Sequence, residues 1–247
     1  MCNISFHQSG QADTCPQSFK QYRWSMLLVV IFSVFIFSFP QDISAKSNDS
    51  YISAEKGEGR FALSASGKSA PLFVSSQEYP GVIRVLKHLQ DDIGSVTNAK
   101  PDLSIDTIPA SNEIVLAGTL GKNPLIDKLV QEKKLYVEGI AGRWETFLIQ
   151  VVENPLPNVA RALIIAGSDK RGTMYGIYDI SAKIGVSPWY WWADVPVRKQ
   201  SDLFVLPGRH TQGEPKVKYR GIFINDEAPA LSGWTYEKFG GFNSKFY

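Results

Sequence analysis

The residues with the clearest chemical potential follow a short apolar run near the C-terminus of the sequence. Residues 217–224 are rich in β-branched and aromatic side chains, which is typical of a buried strand, and Asn225, Asp226 and Glu227 come directly after them. Two carboxyl groups can act as general acid and general base: the protonated one assists a leaving oxygen, and the ionised one activates water. Because (β/α)8 barrel enzymes keep catalytic groups at the C-terminal ends of strands, the pattern predicts the first strand of a catalytic barrel.

The two neighbouring carboxylates are not expected to work as one catalytic pair. Adjacent residues on a strand point to opposite faces, so one of Asp226 and Glu227 would face the pocket while the other braces the loop. A purely structural role for both is the alternative. Any second catalytic carboxylate is then expected beyond Tyr247.

A basic turn lies between a predicted strand and a predicted helix at residues 168–172. The N–H groups of a helix start, together with Lys170 and Arg171, could bind an anion. The alternative is a capped helix start with solvated basic side chains. The turn lacks the glycine spacing of a phosphate-binding loop, so no nucleotide is predicted.

Four consecutive aromatic residues, 189–192, are flanked by prolines and show no helical or strand period. They could form an interface between two domains, since aromatic rings bury much area at little entropic cost, and Trp191 could also contact a ligand. The two histidines after residue 45, His88 and His210, are far apart in sequence and predict no metal site, and no cofactor is predicted. We expect His88 on a helix surface and His210 in a loop.

Composition narrows the class of protein. The chain has 247 residues, 44% of them hydrophobic and 20% charged, which allows one or two globular domains. A formal net charge of +2, without a basic stripe, excludes nucleic acid as an expected partner.

The pattern of the N-terminal residues is typical of a targeting segment. Lys20 and Arg23 precede the apolar stretch 26–39, and residues 43–45 offer a small-residue cleavage site before Lys46. The stretch is shorter than the ~20 residues that cross a bilayer, so residues 1–45 are predicted to be a signal peptide with an N-terminal extension, not a stable membrane anchor. Both cysteines precede this site, so the exported chain would hold no disulfide.

Alternating patterns after a polar tail at 46–59 predict an α/β domain at 60–185. Helices are expected from Pro80, and from a cap at Ser168 or Asp169 to Gly185, with a shorter one near 125–129. Strands are expected at 60–65, 71–75, 103–108, 113–118, 145–152, 161–167 and 202–207. An aromatic-rich connection, 186–215, then leads to the barrel start at 216–247.

Four ordered motifs carry a family resemblance: residues 167–179, 187–196, 219–234 and 239–243. Together they resemble glycoside hydrolase family 115, a family of xylan α-1,2-glucuronidases, and the resemblance covers roughly residues 50–247. It implies an N-terminal α/β sandwich, like domain 2 of hexosaminidases, followed by a (β/α)8 barrel that the sequence includes only in its first part.

The resemblance also implies a function and roles for the candidate residues. It implies an exported hydrolase that removes (4-O-methyl-)glucuronic acid from xylan-derived polysaccharide or oligosaccharide by inverting hydrolysis, with the 247-residue chain inactive alone. It favours Asp226 over Glu227 as the pocket-facing catalytic group. Asn225 could bind a sugar hydroxyl or act as a turn residue, and Trp234 could stack on a pyranose ring or pack in a loop. The rivals are a hexosaminidase or family 67-like glycosidase, or a non-catalytic carbohydrate-binding or interaction module.

Overall fold

The computed structural model describes residues 50–221, 223 and 230–246, without the side chains of residues 191, 192 and 230. Ten strands are found in this part of the chain: β1 (Ile52–Ser53), β2 (Phe61–Ala65), β3 (Lys68–Ser69), β4 (Leu72–Val74), β5 (Leu103–Ile105), β6 (Glu113–Thr119), β7 (Phe147–Leu156), β8 (Val159–Gly167), β9 (Leu203–Val205) and β10 (Arg209–His210). The helices there are α1 (Pro80–Thr97), α2 (Pro124–Gln131), α3 (Lys170–Ile184), α4 (Tyr190–Ala193) and α5 (Ala230–Phe239). None of these helices is long and apolar enough to cross a membrane.

The strands form two sheets, and together with the helices they give the α/β fold that the sequence predicted. The larger sheet has six strands in the order β10-β7-β8-β6-β4-β5, and the smaller has four in the order β1-β9-β2-β3. Strands β5, β4, β6 and β8 are parallel, whereas β7 and β10 extend the large sheet in antiparallel fashion. Strand β6 pairs with β8 from Glu113 opposite Arg161 to Thr119 opposite Gly167.

Both faces of the large sheet are buried, because successive strand residues point to opposite sides. On β6, Val115 and Ala117 pack against α1, α3 and the small sheet, while Ile114 and Leu116 pack against α2. These four side chains are fully buried. The sheet is therefore the middle layer of the fold, which explains why its central strands are continuous apolar runs.

The helix ends follow local chemistry that the sequence predicted. Asp169, not Ser168, caps α3 by accepting a hydrogen bond from the Gly172 N–H at 2.8 Å. Gly185 ends the same helix at φ +114°, a conformation that favours glycine. Pro80 stands in the first turn of α1, where its missing N–H costs nothing.

Helix α3 lies unusually close to the start of β7. A Cβ on Gly172 would stand 2.1 Å from the carbonyl oxygen of Thr146, so only glycine fits there. The same close approach brings the capping turn 168–172 against residues 144–146. This contact positions most of the charged groups described below.

Two local predictions differ from the structure. The described residues of the expected barrel strand, 217–221 and 223, form no strand, and the side chains of Tyr219 and Phe223 are 86% and 89% exposed. A strand needs a neighbour to hydrogen-bond its backbone and cover its side chains, and no described strand pairs with this segment. His210 is also not in a loop: it lies in β10, opposite Ile149 of β7, and its ring stacks on Tyr51 with centroids 4.5 Å apart.

Candidate functional site

The chemically richest cluster among the described residues lies where β8 ends and β7 begins. Because β7 runs antiparallel to β8, its first residue, Phe147, stands opposite Gly167, the last residue of β8. The turn that precedes β7 therefore meets the N-terminal end of α3. Open α/β sheets generally present their ligand-binding groups at the carboxyl ends of the parallel strands, which is the edge that this turn occupies.

Glu145 is the centre of the cluster. Its carboxylate is buried, with 8% of the side chain exposed, and its backbone is left-handed at φ +51°. Oε1 accepts a hydrogen bond from Arg171 Nη1 at 2.8 Å, and Oε2 accepts one from Arg220 Nη2. The hydrogen bond from Arg171, reinforced by Arg220, holds the pKa of Glu145 below its ordinary value. The carboxylate thus stays ionised and binds two arginines at once.

The backbone around Glu145 is held from two sides. Asp169 accepts from the Glu145 N–H through Oδ2 at 2.8 Å, while the Ser168 hydroxyl oxygen accepts from the Thr146 N–H at 3.1 Å. From the other side, Glu214 Oε1 accepts from the Trp144 N–H at 3.0 Å. These bonds account for a non-glycine residue in a left-handed conformation, because the surrounding contacts fix it there.

Arg220 joins the cluster from the segment that leads toward Asn225. Its guanidinium donates to the Tyr175 hydroxyl at 3.2 Å and lies 5.8 Å from the ring centroids of both Trp144 and Tyr175. The hydrogen bond to Glu145 raises the pKa of Arg220. A planar guanidinium between aromatic rings and a carboxylate is a geometry that lysine does not reproduce.

The basic turn predicted from the sequence divides into two environments. Arg171 is also exposed, but it is paired with the buried carboxylate of Glu145, so part of its charge is already neutralised. Lys170 is exposed, and its ammonium lies 6.0 Å from the Tyr79 ring, which Lys122 approaches at 5.4 Å. The turn is therefore a capped helix start in which Arg171 is engaged and Lys170 faces solvent.

The other predicted residues are distributed as follows. Asn225, Asp226, Glu227 and the side chain of Trp191 lie outside the described residues. Trp234 is half-buried in α5, with edge-to-face contacts to Phe239 and Phe246 at centroid distances of 5.4 and 6.3 Å. Within the aromatic run, Trp189 is 58% exposed, so its ring is not buried in an interface between described residues. His88 is exposed on α1, as expected, and bonds the Tyr178 hydroxyl at 2.9 Å.

A separate cavity of about 230 Å³ lies between α4 and α5. Tyr190, Asp194, Lys238 and Phe239 line it, and Asp194 forms an ion pair with Lys238. Two aromatic rings beside a charged pair could accept a small polar ligand such as a sugar.

Sequence reasoning did not identify Glu145 and Arg220 as partners. Glu145 was recognised only as the beginning of a strand, and Arg220 only as part of a motif. The two residues are 75 positions apart, and no local period links them. The one available signal was charge: each is a charged residue within a segment that the sequence predicts to be an apolar strand.

Comparisons with known proteins point to one group of enzymes. The sequence model of glycosyl hydrolase family 115 matches residues 212–247. A solved structure described as a family GH115 4-O-methyl-α-glucuronidase, BtGH115A, with specificity for decorated arabinogalactans, matches with a TM-score of 0.58 and 35% identity. The match covers 75% of this chain and 22% of that one, so the chain spans about a fifth of that relative.

Two further results complete the comparison. The structure described as CpGH84D matches with a TM-score of 0.34 and 11% identity, over 63% of this chain and 22% of that one, a likeness too low to bear on function. Among curated proteins, none matches. The resemblance to family 115 that the four sequence motifs indicated is confirmed by the family and structure matches.

Proposed function

The chain is related to glycoside hydrolase family 115, and on that premise we propose that it is the N-terminal part of an exported α-glucuronidase. The enzyme would hydrolyse the bond between (4-O-methyl-)glucuronic acid and a polysaccharide, with inversion at the anomeric carbon and with water as the only co-reactant. The observation that carries the proposal is the family match over residues 212–247, because this stretch includes Asn225, Asp226 and Glu227. The 35% identity to a 4-O-methyl-α-glucuronidase supports it.

In the proposed architecture, the catalytic residues and the α/β domain that supports them lie in different parts of the chain. Residues 60–185, with β1, β9 and β10 completing the two sheets, would form a sandwich domain like domain 2 of hexosaminidases, and residues 216–247 would begin a (β/α)8 barrel. Inverting glycosidases hold their acid and base about 6.5–9.5 Å apart to admit a water. Asp226 would supply one of these carboxylates at the barrel mouth, with Glu227 bracing the loop, and the other would come from a later barrel strand.

Roles for the remaining candidates follow from the chemistry of a uronic acid. A negatively charged sugar needs basic partners and hydroxyl-binding groups, which Lys170, Arg171 and Asn225 could supply. Trp234 or Trp191 could stack on the ring of the sugar. Arg171 would have to share its guanidinium with Glu145 while doing so.

Two polysaccharides are candidate substrates. The motifs favour glucuronoxylan, whereas the relative with 35% identity is described as specific for decorated arabinogalactans. The two substrates are separated by a direct comparison of rates. A hexosaminidase would instead release N-acetylhexosamine from its own substrates, and a binding module would retain polysaccharide without releasing sugar.

The test uses the purified full-length enzyme on glucuronoxylan and on arabinogalactan bearing 4-O-methylglucuronic acid. We expect release of the uronic acid, with the β-anomer appearing first in a time-resolved NMR spectrum, because inversion of an α-linkage gives β. The Asp226→Ala enzyme is the control. Release of the α-anomer first would overturn inversion, and release of no uronic acid from either polysaccharide would overturn the proposed activity.

Two parts of the proposal have simple tests of their own. Because the 247-residue chain spans about a fifth of its relative, we expect the purified chain to release no uronic acid from either polysaccharide.

Export is tested by N-terminal sequencing of the secreted protein, which should begin at Lys46. A mature protein that still contains residues 26–39 would contradict signal-peptide cleavage.

A further inference from the structure

We propose that Glu145 is a positioning residue, which holds the segment carrying the proposed catalytic groups through its ion pair with Arg220. The part of this inference that concerns catalysis rests on the proposed function. The part that concerns the contact itself rests on geometry alone. We call the contact among Glu145, Arg220, Trp144 and Tyr175 the Arg220 clasp.

One side of the clasp is rigid. Glu145 lies in the turn before β7, and its N–H is bound by Asp169 at the start of α3. Its carboxylate is buried, and one of the two carboxylate oxygens accepts a hydrogen bond from Arg171. Glu145 therefore presents its second oxygen in a defined place, which reduces the side-chain entropy that Glu145 loses when Arg220 binds it.

The other side of the clasp belongs to a segment that is otherwise exposed. Val217, Tyr219 and Phe223 are 60%, 86% and 89% exposed, whereas the Arg220 guanidinium reaches Glu145, Tyr175 and Trp144. Arg220 Nη1 also donates to the Val217 carbonyl oxygen, so the guanidinium braces its own backbone. Within the described residues 216–221 and 223, Arg220 makes the principal attachment to the α/β domain.

This attachment lies close in sequence to the proposed chemistry. Arg220 stands in the stretch matched by the family 115 sequence model, just before Asn225 and Asp226. A catalytic carboxylate that is misplaced by about 1 Å can cost about 100-fold in rate, even when the substituted residue lies far from the reacting atoms. The α/β domain would thus contribute to catalysis by fixing where the first barrel strand begins.

A matched control exists in the same sheet, at the amino ends of the central strands β6 and β8. Arg161 on β8 pairs with Glu113 on β6, both are partly buried, and the Arg161 guanidinium lies 5.9 Å from the Phe61 ring centroid. This pair resembles the clasp in chemistry, and it forms no hydrogen bond or ion pair with the described residues 212–221, 223 and 230–246. Replacing either arginine by methionine keeps an unbranched apolar stem and removes the charge.

The activity experiment compares Arg220→Met, Arg220→Lys, Glu145→Gln and Arg161→Met in the full-length enzyme. We expect Arg220→Met and Glu145→Gln each to lower kcat by about tenfold or more, with KM changed less than about threefold. Their double variant should lose no more than the worse single variant, because both remove the same link. Arg220→Lys should retain more of kcat than Arg220→Met does. Arg161→Met should keep kcat within about twofold of wild type, although it lowers the thermal stability about as much as Arg220→Met.

A second measurement is independent of activity. Trypsin cleavage of the 247-residue chain after Lys216 and Lys218 should be at least about fivefold faster in Arg220→Met and near the wild-type rate in Arg161→Met, because loss of the Arg220 attachment frees the backbone of this segment. If wild-type enzyme releases no uronic acid, the proposed function fails and the cleavage rate still decides the clasp. An unchanged cleavage rate would overturn the clasp, and faster cleavage with unchanged kcat in an active enzyme would overturn the positioning role.

Discussion

Asp169 binds Glu145 and caps α3 with the same carboxylate. Its Oδ1 accepts from the Gly172 N–H and its Oδ2 from the Glu145 N–H, both at 2.8 Å. A capping residue normally satisfies the N–H groups of its own helix only. Here the second oxygen fixes the turn that carries a buried charged residue, so the start of α3 and the Arg220 clasp depend on one side chain.

The first prediction separates the two bonds of Asp169. Asp169→Ala should lower the free energy of unfolding by about 2 kcal/mol, because it removes a cap and leaves the Glu145 N–H unpaired. Asp169→Asn keeps one acceptor oxygen and should cost about half as much. Urea unfolding of the 247-residue chain measures both. Asp91→Ala, at an exposed ion pair with Lys100, is the control and should have little effect; an Asn variant as stable as wild type would show that the second bond contributes nothing.

The second prediction concerns the close contact between α3 and β7. Gly172→Ala should destabilise the chain by about 2–3 kcal/mol, because the new Cβ would stand 2.1 Å from the Thr146 carbonyl oxygen and force the helix away. Gly233→Ala in α5 is the matched control, since nothing lies within 4 Å of its Cβ position. It should be neutral or stabilising by up to about 1 kcal/mol. Equal melting temperatures for the two variants would contradict the close packing.

The third prediction is a pH dependence of the clasp. The hydrogen bond from Arg171, and also that from Arg220, lowers the folded-state pKa of Glu145, so its ionised form stabilises the fold. That contribution is fully present above the pKa of the unfolded chain and is lost as pH falls through the lower folded pKa. The stability difference between wild type and Glu145→Gln should therefore be constant near neutral pH and shrink in acid, below about pH 4. A difference that grows on acidification would reverse the assigned sign.

The fourth prediction concerns the two neighbouring carboxylates. In the full-length enzyme Asp226→Ala should lower kcat by about 10²–10⁴-fold, the usual loss when a general acid or base is removed. Glu227→Ala should mainly lower stability, by about 1–3 kcal/mol, as expected of a bracing group. Turnover and melting temperature are measured for both. Normal turnover in Asp226→Ala with lost turnover in a folded Glu227→Ala would reverse the assignment, and normal turnover in both would place the catalytic pair elsewhere.

Local patterns in the sequence were sufficient for the main elements. The apolar spacing from Val82 to Ile93 predicted α1, and Asp169 with Gly185 bounded α3, because helix periodicity and capping depend on residues a few positions apart. The strands at 113–119 and 159–167 were recognisable for a similar reason: a strand buried on both faces is a continuous apolar run. The family resemblance likewise lay in contiguous motifs.

Only the tertiary structure decided which distant residues meet. Strand β9 was predicted at 202–207 as part of a connection, but only the structure shows that it lies between β1 and β2, with Leu203 and Val205 fully buried. Arg220 reaches Glu145 across 75 positions, and the expected strand at 217–221 has no described partner to pair with. The period of the apolar residues shows which side chains of a segment can be buried. Whether that segment forms a strand, and with which neighbour, depends on the distant segments that folding brings beside it.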